Sequence, residues 1–269
     1  MRDIRIAVAV FNAPIGELDS NFNRMADFIK ESAKNNAQLI CFPEMSLTGY
    51  CSDGSVKNFA VTIKSEYIER LSQLSKLYNT TILTGLAEKD SNENIYASHL
   101  VLSPGKEMGV YRKLHIAPPE KQTYSKGNSI PVFEACGMKF GIQLCYDAHF
   151  PELAAAMTEF GIDALFIPHA SPRLTPKEKF NSWMRHLTAR AFDNSIFIIA
   201  CNQCGENKNN LTFPGVSLVL DPSGNVIEKN ISGKEGLLYA DLKEETLDSI
   251  RTHKMKYFFP NRRNKIYKK

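Results

Sequence analysis

The chain has 269 residues, 43% of them hydrophobic and 23% charged, with six cysteines and a formal net charge of +4. That is the profile of one large globular α/β domain over residues 1–269, with no low-complexity linker, internal repeat or disulfide scaffold to suggest otherwise. The positive charge belongs to the tail: eight basic residues and no acidic one follow Asp248, and without them 25 basic face 29 acidic residues, a balance of −4.

In chain order, residues 4–11 are apolar with polar interruptions, which predicts a strand and is too short for a membrane anchor. With no export signal read there, a cytoplasmic location is expected. Phe22, Met25, Phe28, Ile29 and Ala33 share a helical spacing. Residues 38–42 predict a strand that ends just before Glu44. Tyr67, Ile68, Leu71, Leu74 and Leu77 form a second helical stripe, followed by a strand over 80–87. Residues 96–102 and 107–112 flank Ser103-Pro104-Gly105-Lys106, a hairpin signal, and 132–135 with 139–145 flank Gly137 in the same way. Then come a helix over 153–160, a strand over 164–167, a single long helix over 178–194, and strands over 196–200, 216–220 and 236–242. Asp221-Pro222-Ser223-Gly224-Asn225 turns the chain between the last two. The basic tail is read as a solvated C-terminal arm, because no aromatic platform or basic helical stripe points to nucleic acid or a membrane surface.

Three segments carry chemistry. Ile40-Cys41-Phe42-Pro43-Glu44 places a carboxylate past a strand, and Val110-Tyr111-Arg112-Lys113-Leu114-His115 ends a strand on a lysine. Gly141-Ile142-Gln143-Leu144-Cys145 ends a third on a thiol, before a turn and a helix opened by Pro151. A strand anchors such a thiol, and backbone N–H groups after it can stabilise negative charge. A lone strand-end cysteine would be read as an inert core thiol, a lone Glu44 as a capping or solvated acid, and a lone Lys113 as a surface residue. Together they supply a nucleophile, a base and a cation. Lys113 and the helix start are expected to favour the thiolate. Cys201-Asn202-Gln203-Cys204 has redox spacing but follows a strand and leads into a polar loop, where a redox motif would open a helix. Cys41 and Cys136 are read as buried strand residues, and no second Cys/His cluster offers a zinc site.

With these motifs the chain resembles the nitrilase superfamily of carbon–nitrogen hydrolases. Phe42-Pro43-Glu44 through Gly49-Tyr50, Arg112-Lys113-Leu114-His115, and Cys145-Tyr146-Asp147 with Phe150-Pro151-Glu152 match its three signatures in order. Arg262-Arg263 and Tyr267 resemble its ending, so the likeness spans essentially the whole chain. The resemblance implies a four-layer α-β-β-α sandwich of two mixed sheets, a homodimer or higher homo-oligomer, and hydrolysis of a small-molecule amide or N-carbamoyl compound, or of a nitrile, without metal or organic cofactor. It implies Cys145 as nucleophile, Glu44 as general base, Lys113 as oxyanion partner with the Tyr146 backbone, and Glu120, in Glu120-Lys121-Gln122-Thr123-Tyr124, as a second glutamate orienting substrate and lysine. His115 is read as a supporting hydrogen-bonding residue.

Substrate is less legible. Relatives that take N-carbamoyl D-amino acids carry two arginines at the positions of Ala148 and His149, and ω-amidases carry one at His149; this chain has neither. Tyr50, Tyr124, Tyr146, His149, His169, Ser171 and Arg173 are candidate substrate contacts, lying past predicted strand ends or in loops. Arg173 is either a receiver for a substrate carboxylate or a solvent-exposed loop residue.

Overall fold

The structure, a computed structural model, describes residues 1–263 and Ile266. Tyr267, Lys265, Lys268 and Lys269, which complete the expected motif and tail, lie outside the described residues. The chain begins with β1 (Ile4–Val10), α1 (Leu18–Lys34), β2 (Leu39–Cys41), α2 (Glu66–Tyr78), β3 (Thr81–Lys89), β4 (Ile95–Leu102) and β5 (Gly109–Arg112). A long loop leads to β6 (Phe133–Ala135), β7 (Met138–Ile142), α3 (Pro151–Glu159), β8 (Ala164–His169), α4 (Pro176–Met184), α5 (Leu187–Asn194) and β9 (Phe197–Asn202). The small hairpin β10 (Cys204–Glu206) and β11 (Thr212–Pro214) precedes β12 (Ser217–Leu220), β13 (Val226–Asn230), β14 (Gly236–Leu242) and α6 (Glu244–Arg251).

Two six-stranded mixed sheets result, in the orders β14-β1-β2-β3-β4-β5 and β13-β12-β9-β8-β7-β6. Each has a parallel trio, β1-β2-β3 or β7-β8-β9, flanked by antiparallel strands. Alternation along β1 shows how the layers form. Ile4, Ile6 and Val8 enter the same core as Phe140, Ile142 and Leu165 of the second sheet, whereas Ala7 and Ala9 pack with Phe22, Met25 and Ile29 of α1. The sheets therefore meet face to face with α1 and α2 outside the first. On the second, α3 packs on α5, and α5 on β9. β8 and β9 are buried throughout, as parallel strands covered on both faces must be.

The expected α/β sandwich is present, with differences in detail. The single helix expected over 178–194 is two, α4 and α5, because hydrogen bonding tightens at Arg185 and His186, whose N–H groups donate to the carbonyls of Ser182 and Trp183. Trp183 before the turn and Leu187 after it are both buried in the core. β7 stops at Ile142, three residues short of the expected end, and Cys145 opens a 3₁₀ turn, Cys145–His149. Cys136 is not a buried strand residue: it is half-buried at φ 54 in the β6–β7 turn, beside Gly137 at φ 73. Cys201 and Cys204 lie on β9 and β10, with no helix behind them.

Candidate active site

Glu44, Lys113 and Cys145 come from three strand ends on both sheets. Glu44 follows β2, Lys113 follows β5, and Cys145 follows β7. The backbone after β2 kinks at once, with Met45 at φ 59. That kink presses on β3 at Gly85, where a Cβ would lie 2.4 Å from the Met45 nitrogen. Glycine is required there because the strand and the kink are in backbone contact. Cys145 itself sits at φ 44, a strained conformation for a residue with a side chain. It keeps some solvent-accessible surface although neighbouring groups enclose its sulfur.

The Lys113 ammonium, 1% exposed, donates to Glu44 Oε1 and Glu120 Oε2, both at 2.9 Å. Glu120 also accepts from the Tyr50 hydroxyl at 2.9 Å and, at 3.3 Å, from the Ala117 N–H. Glu44 is stitched to the opposite sheet. Its Oε2 accepts from Ala170 N at 2.9 Å, and its carbonyl accepts from Gln203 Nε2 at 2.8 Å. Burial raises the Glu44 pKa to about 6 against the pull of Lys113, with Glu120 adding to the rise. Burial works against the Lys113 charge as well, but the two carboxylates outweigh it and hold its pKa well above the usual lysine value.

The expected thiolate is not the resting form. Burial pushes the Cys145 thiol up to about 12, and the Glu44 carboxylate adds to this more than Lys113 relieves it. A buried base beside a protonated thiol is an arrangement for proton transfer during attack.

Asp147, fully buried, ties the cysteine loop to the lysine loop. Its Oδ2 accepts from the Tyr111 hydroxyl at 2.7 Å and Leu144 N at 3.1 Å; its Oδ1 accepts from His115 N at 2.8 Å and faces His115 Nδ1 at 2.8 Å. The His115 ring stacks on Phe150 with centroids 3.8 Å apart.

The candidate substrate contacts divide. Tyr50 is committed to Glu120, and the Tyr124 hydroxyl donates to Cys51 O at 2.7 Å; both rings are buried. His169 is buried against Trp183, and its Nδ1 pairs with Ile167 O at 2.7 Å. Burial holds its pKa well below 6.5, so the ring is neutral. His149 is exposed and lies beside Tyr146 and His186. Arg173 is exposed at φ 65, its N–H bonded to Thr212 O at 2.8 Å. Sequence reasoning missed Lys179, whose charge acts on Cys145, together with Asp147, Gln203 and Asn202. Asp147 stood in the cysteine motif; the other three had no local signal.

Residues 7–252 match the carbon–nitrogen hydrolase family. The chain is 31% identical over 240 residues to the deaminated glutathione amidase of Escherichia coli O157:H7, covering 87% of this chain and 88% of that one. It is 29% identical over 272 residues to a probable nitrilase of Schizosaccharomyces pombe, covering 98% and 97%. Among solved structures, Saccharomyces cerevisiae Nit3, a member of branch 10 of the nitrilase superfamily, superposes with a TM-score of 0.84 at 25% identity, covering 93% and 94%. No helix among the described residues is long and apolar enough to cross a membrane. With a family match across most of its length and relatives covered over most of theirs, the chain belongs to the carbon–nitrogen hydrolases of the nitrilase superfamily.

Proposed function

We propose that the protein hydrolyses a non-peptide C–N bond of a small linear amide or N-carbamoyl compound through a thioester on Cys145. The observation that carries this reading is the buried Glu44–Lys113–Glu120 array beside a nucleophile held at φ 44. As the Cys145 sulfur attacks the carbonyl carbon, its proton passes to Glu44, whose pKa of about 6 leaves it ionised at neutral pH. The oxyanion that forms is met by the Lys113 ammonium and the Tyr146 backbone N–H. Collapse breaks the C–N bond, and Glu44 returns the proton to the departing ammonia or amine. Glu44 then takes a proton from water, whose oxygen attacks the thioester; the second collapse releases the carboxylic acid and the thiolate, which regains the proton. Glu120 holds Lys113 together with Glu44 and orients substrate.

The reading includes one catalytic domain over residues 1–269, acting in the cytoplasm as a homodimer or higher homo-oligomer without cofactor, nucleic-acid or membrane partner; sedimentation checks the assembly. Ammonia release from matched carboxamides, N-carbamoyl compounds and nitriles tests the chemistry, with Cys145→Ala as control. Turnover of carboxamides or N-carbamoyl compounds that disappears in the variant is expected. The nitrilase name of one relative makes nitriles the competing substrate, and activity on them alone would replace amide hydrolysis.

A further inference from the structure

Lys179 is the second buried lysine beside Cys145, and its surroundings differ from those of Lys113. It lies on α4, is 6% exposed, and its ammonium has a single hydrogen-bond partner among the described residues, Ser171 Oγ at 2.6 Å. Ser171 is itself fixed, with its N–H donating to Asn202 Oδ1 and its carbonyl accepting from Asn202 Nδ2, both at 3.0 Å. Buried lysines are ordinarily paired with an acid. Lys113 has two carboxylates, and Lys179 pairs with none among the described residues. Burial lowers its pKa, and the charge that would favour its ammonium, a thiolate on Cys145, is absent while that thiol stays protonated. The imidazoles that feel its charge, those of His149, His169 and His186, are pushed below their usual pKa by burial and by neighbouring cations, so they stay neutral and offer Lys179 no counter-ion.

A built cation with free N–H donors and no acid, held through Ser171 next to Ala170, whose N–H bonds the site's Glu44, is a receptor for an anionic group. On the amide-hydrolase reading, which this deepens, we propose that Lys179 receives the carboxylate of the substrate, so that the substrate is a short amide carrying an acid group while its amide carbon meets Cys145. The positions at which relatives carry arginine are Ala148 and His149 here, and Arg173 is exposed to solvent. The buried position on α4 supplies the charge instead.

The test compares succinamate with butyramide, an acidic and a neutral amide of similar length, in wild type, Lys179→Met and Lys179→Arg. In Lys179→Met the preference for succinamate, as a ratio of kcat/KM values, is expected to fall ~10–100-fold and to do so through KM, with partial retention in Lys179→Arg. Equal losses on both amides, or no change on either, overturn the proposal: Lys179 then acts on the Cys145 thiol or on Ser171 alone. A second measurement needs no turnover. Succinate should slow iodoacetamide labelling of Cys145 in the wild type and lose that protection in Lys179→Met. Amide hydrolysis without protection by succinate sinks the carboxylate site and leaves the hydrolase reading standing. Lys179-dependent protection in a protein that cleaves no amide does the reverse.

Discussion

Replacing Asp147 by asparagine tests whether the cysteine and lysine loops are held as one unit. The carboxylate accepts from Tyr111 and Leu144 on Oδ2 and from His115 N on Oδ1, where His115 Nδ1 also sits. An asparagine of the same shape has one acceptor oxygen. If it keeps the His115 side, its NH₂ meets the Leu144 N–H, donor against donor, and the Tyr111 hydroxyl must rotate to accept. An orphaned buried N–H costs ~1–3 kcal/mol, and the charge lost from the remaining bonds adds a similar amount, for a total of ~2–5 kcal/mol. In a chain of this length each kcal/mol moves Tm by ~2–4 °C, so a fall of roughly 4–20 °C is expected. Leu144 adjoins Cys145, so loosening it should also lower kcat/KM by ~10–100-fold in the folded variant. Thermal unfolding by circular dichroism and amide hydrolysis well below Tm measure the two effects. A Tm close to wild type would refute the hydrogen-bond accounting. A lowered Tm with full activity would show that the Cys145 loop does not depend on Asp147.

Glu44→Gln and Lys113→Ala should each lower turnover by ~10²–10⁴-fold in steady-state assays, and near-normal rates in either would break the proposed mechanism. The acid limb of kcat/KM should rise with pH through about 6, where burial places Glu44, because the base must be ionised; a profile flat down to pH ~5 would exclude it. Stability runs the other way: a carboxyl raised from 4.5 to about 6 gives its full contribution below 4.5 and loses it as pH rises through 6, which unfolding measured against pH will show in wild type and not in Glu44→Gln. Gly85→Ala places a Cβ 2.4 Å from the Met45 nitrogen and should destabilise by ~1–3 kcal/mol in denaturant titrations, with loss of activity as Glu44 shifts; a wild-type midpoint would mean that the contact relaxes freely.

Strands of the sheet interiors were legible because both faces are apolar, as in residues 4–11 and 164–167. β13 escaped notice because it is an edge strand with mostly exposed, polar residues, and α6 because eight residues are too few for a clear stripe. The break between α4 and α5 carries no proline or glycine, only a tightening of hydrogen bonds at Arg185 and His186. In the site, Glu44, Lys113, Glu120 and Cys145 could be named from local motifs. What surrounds them could not: Ala170, Gln203 and Lys179 arrive from 25 or more positions beyond Cys145, through packing of the second sheet. The protonated state of the thiol was equally hidden, since it is set by burial and by Glu44, neither of which local sequence reveals.

The central claim is a covalent acyl group on Cys145, and rapid acid quenching during turnover followed by peptide mapping tests it directly. The expected result is an adduct equal to the substrate acyl group on the peptide containing Cys145, absent from Cys145→Ala, whose turnover is also lost. An acyl group on another residue, or continued hydrolysis by Cys145→Ala, would contradict the account.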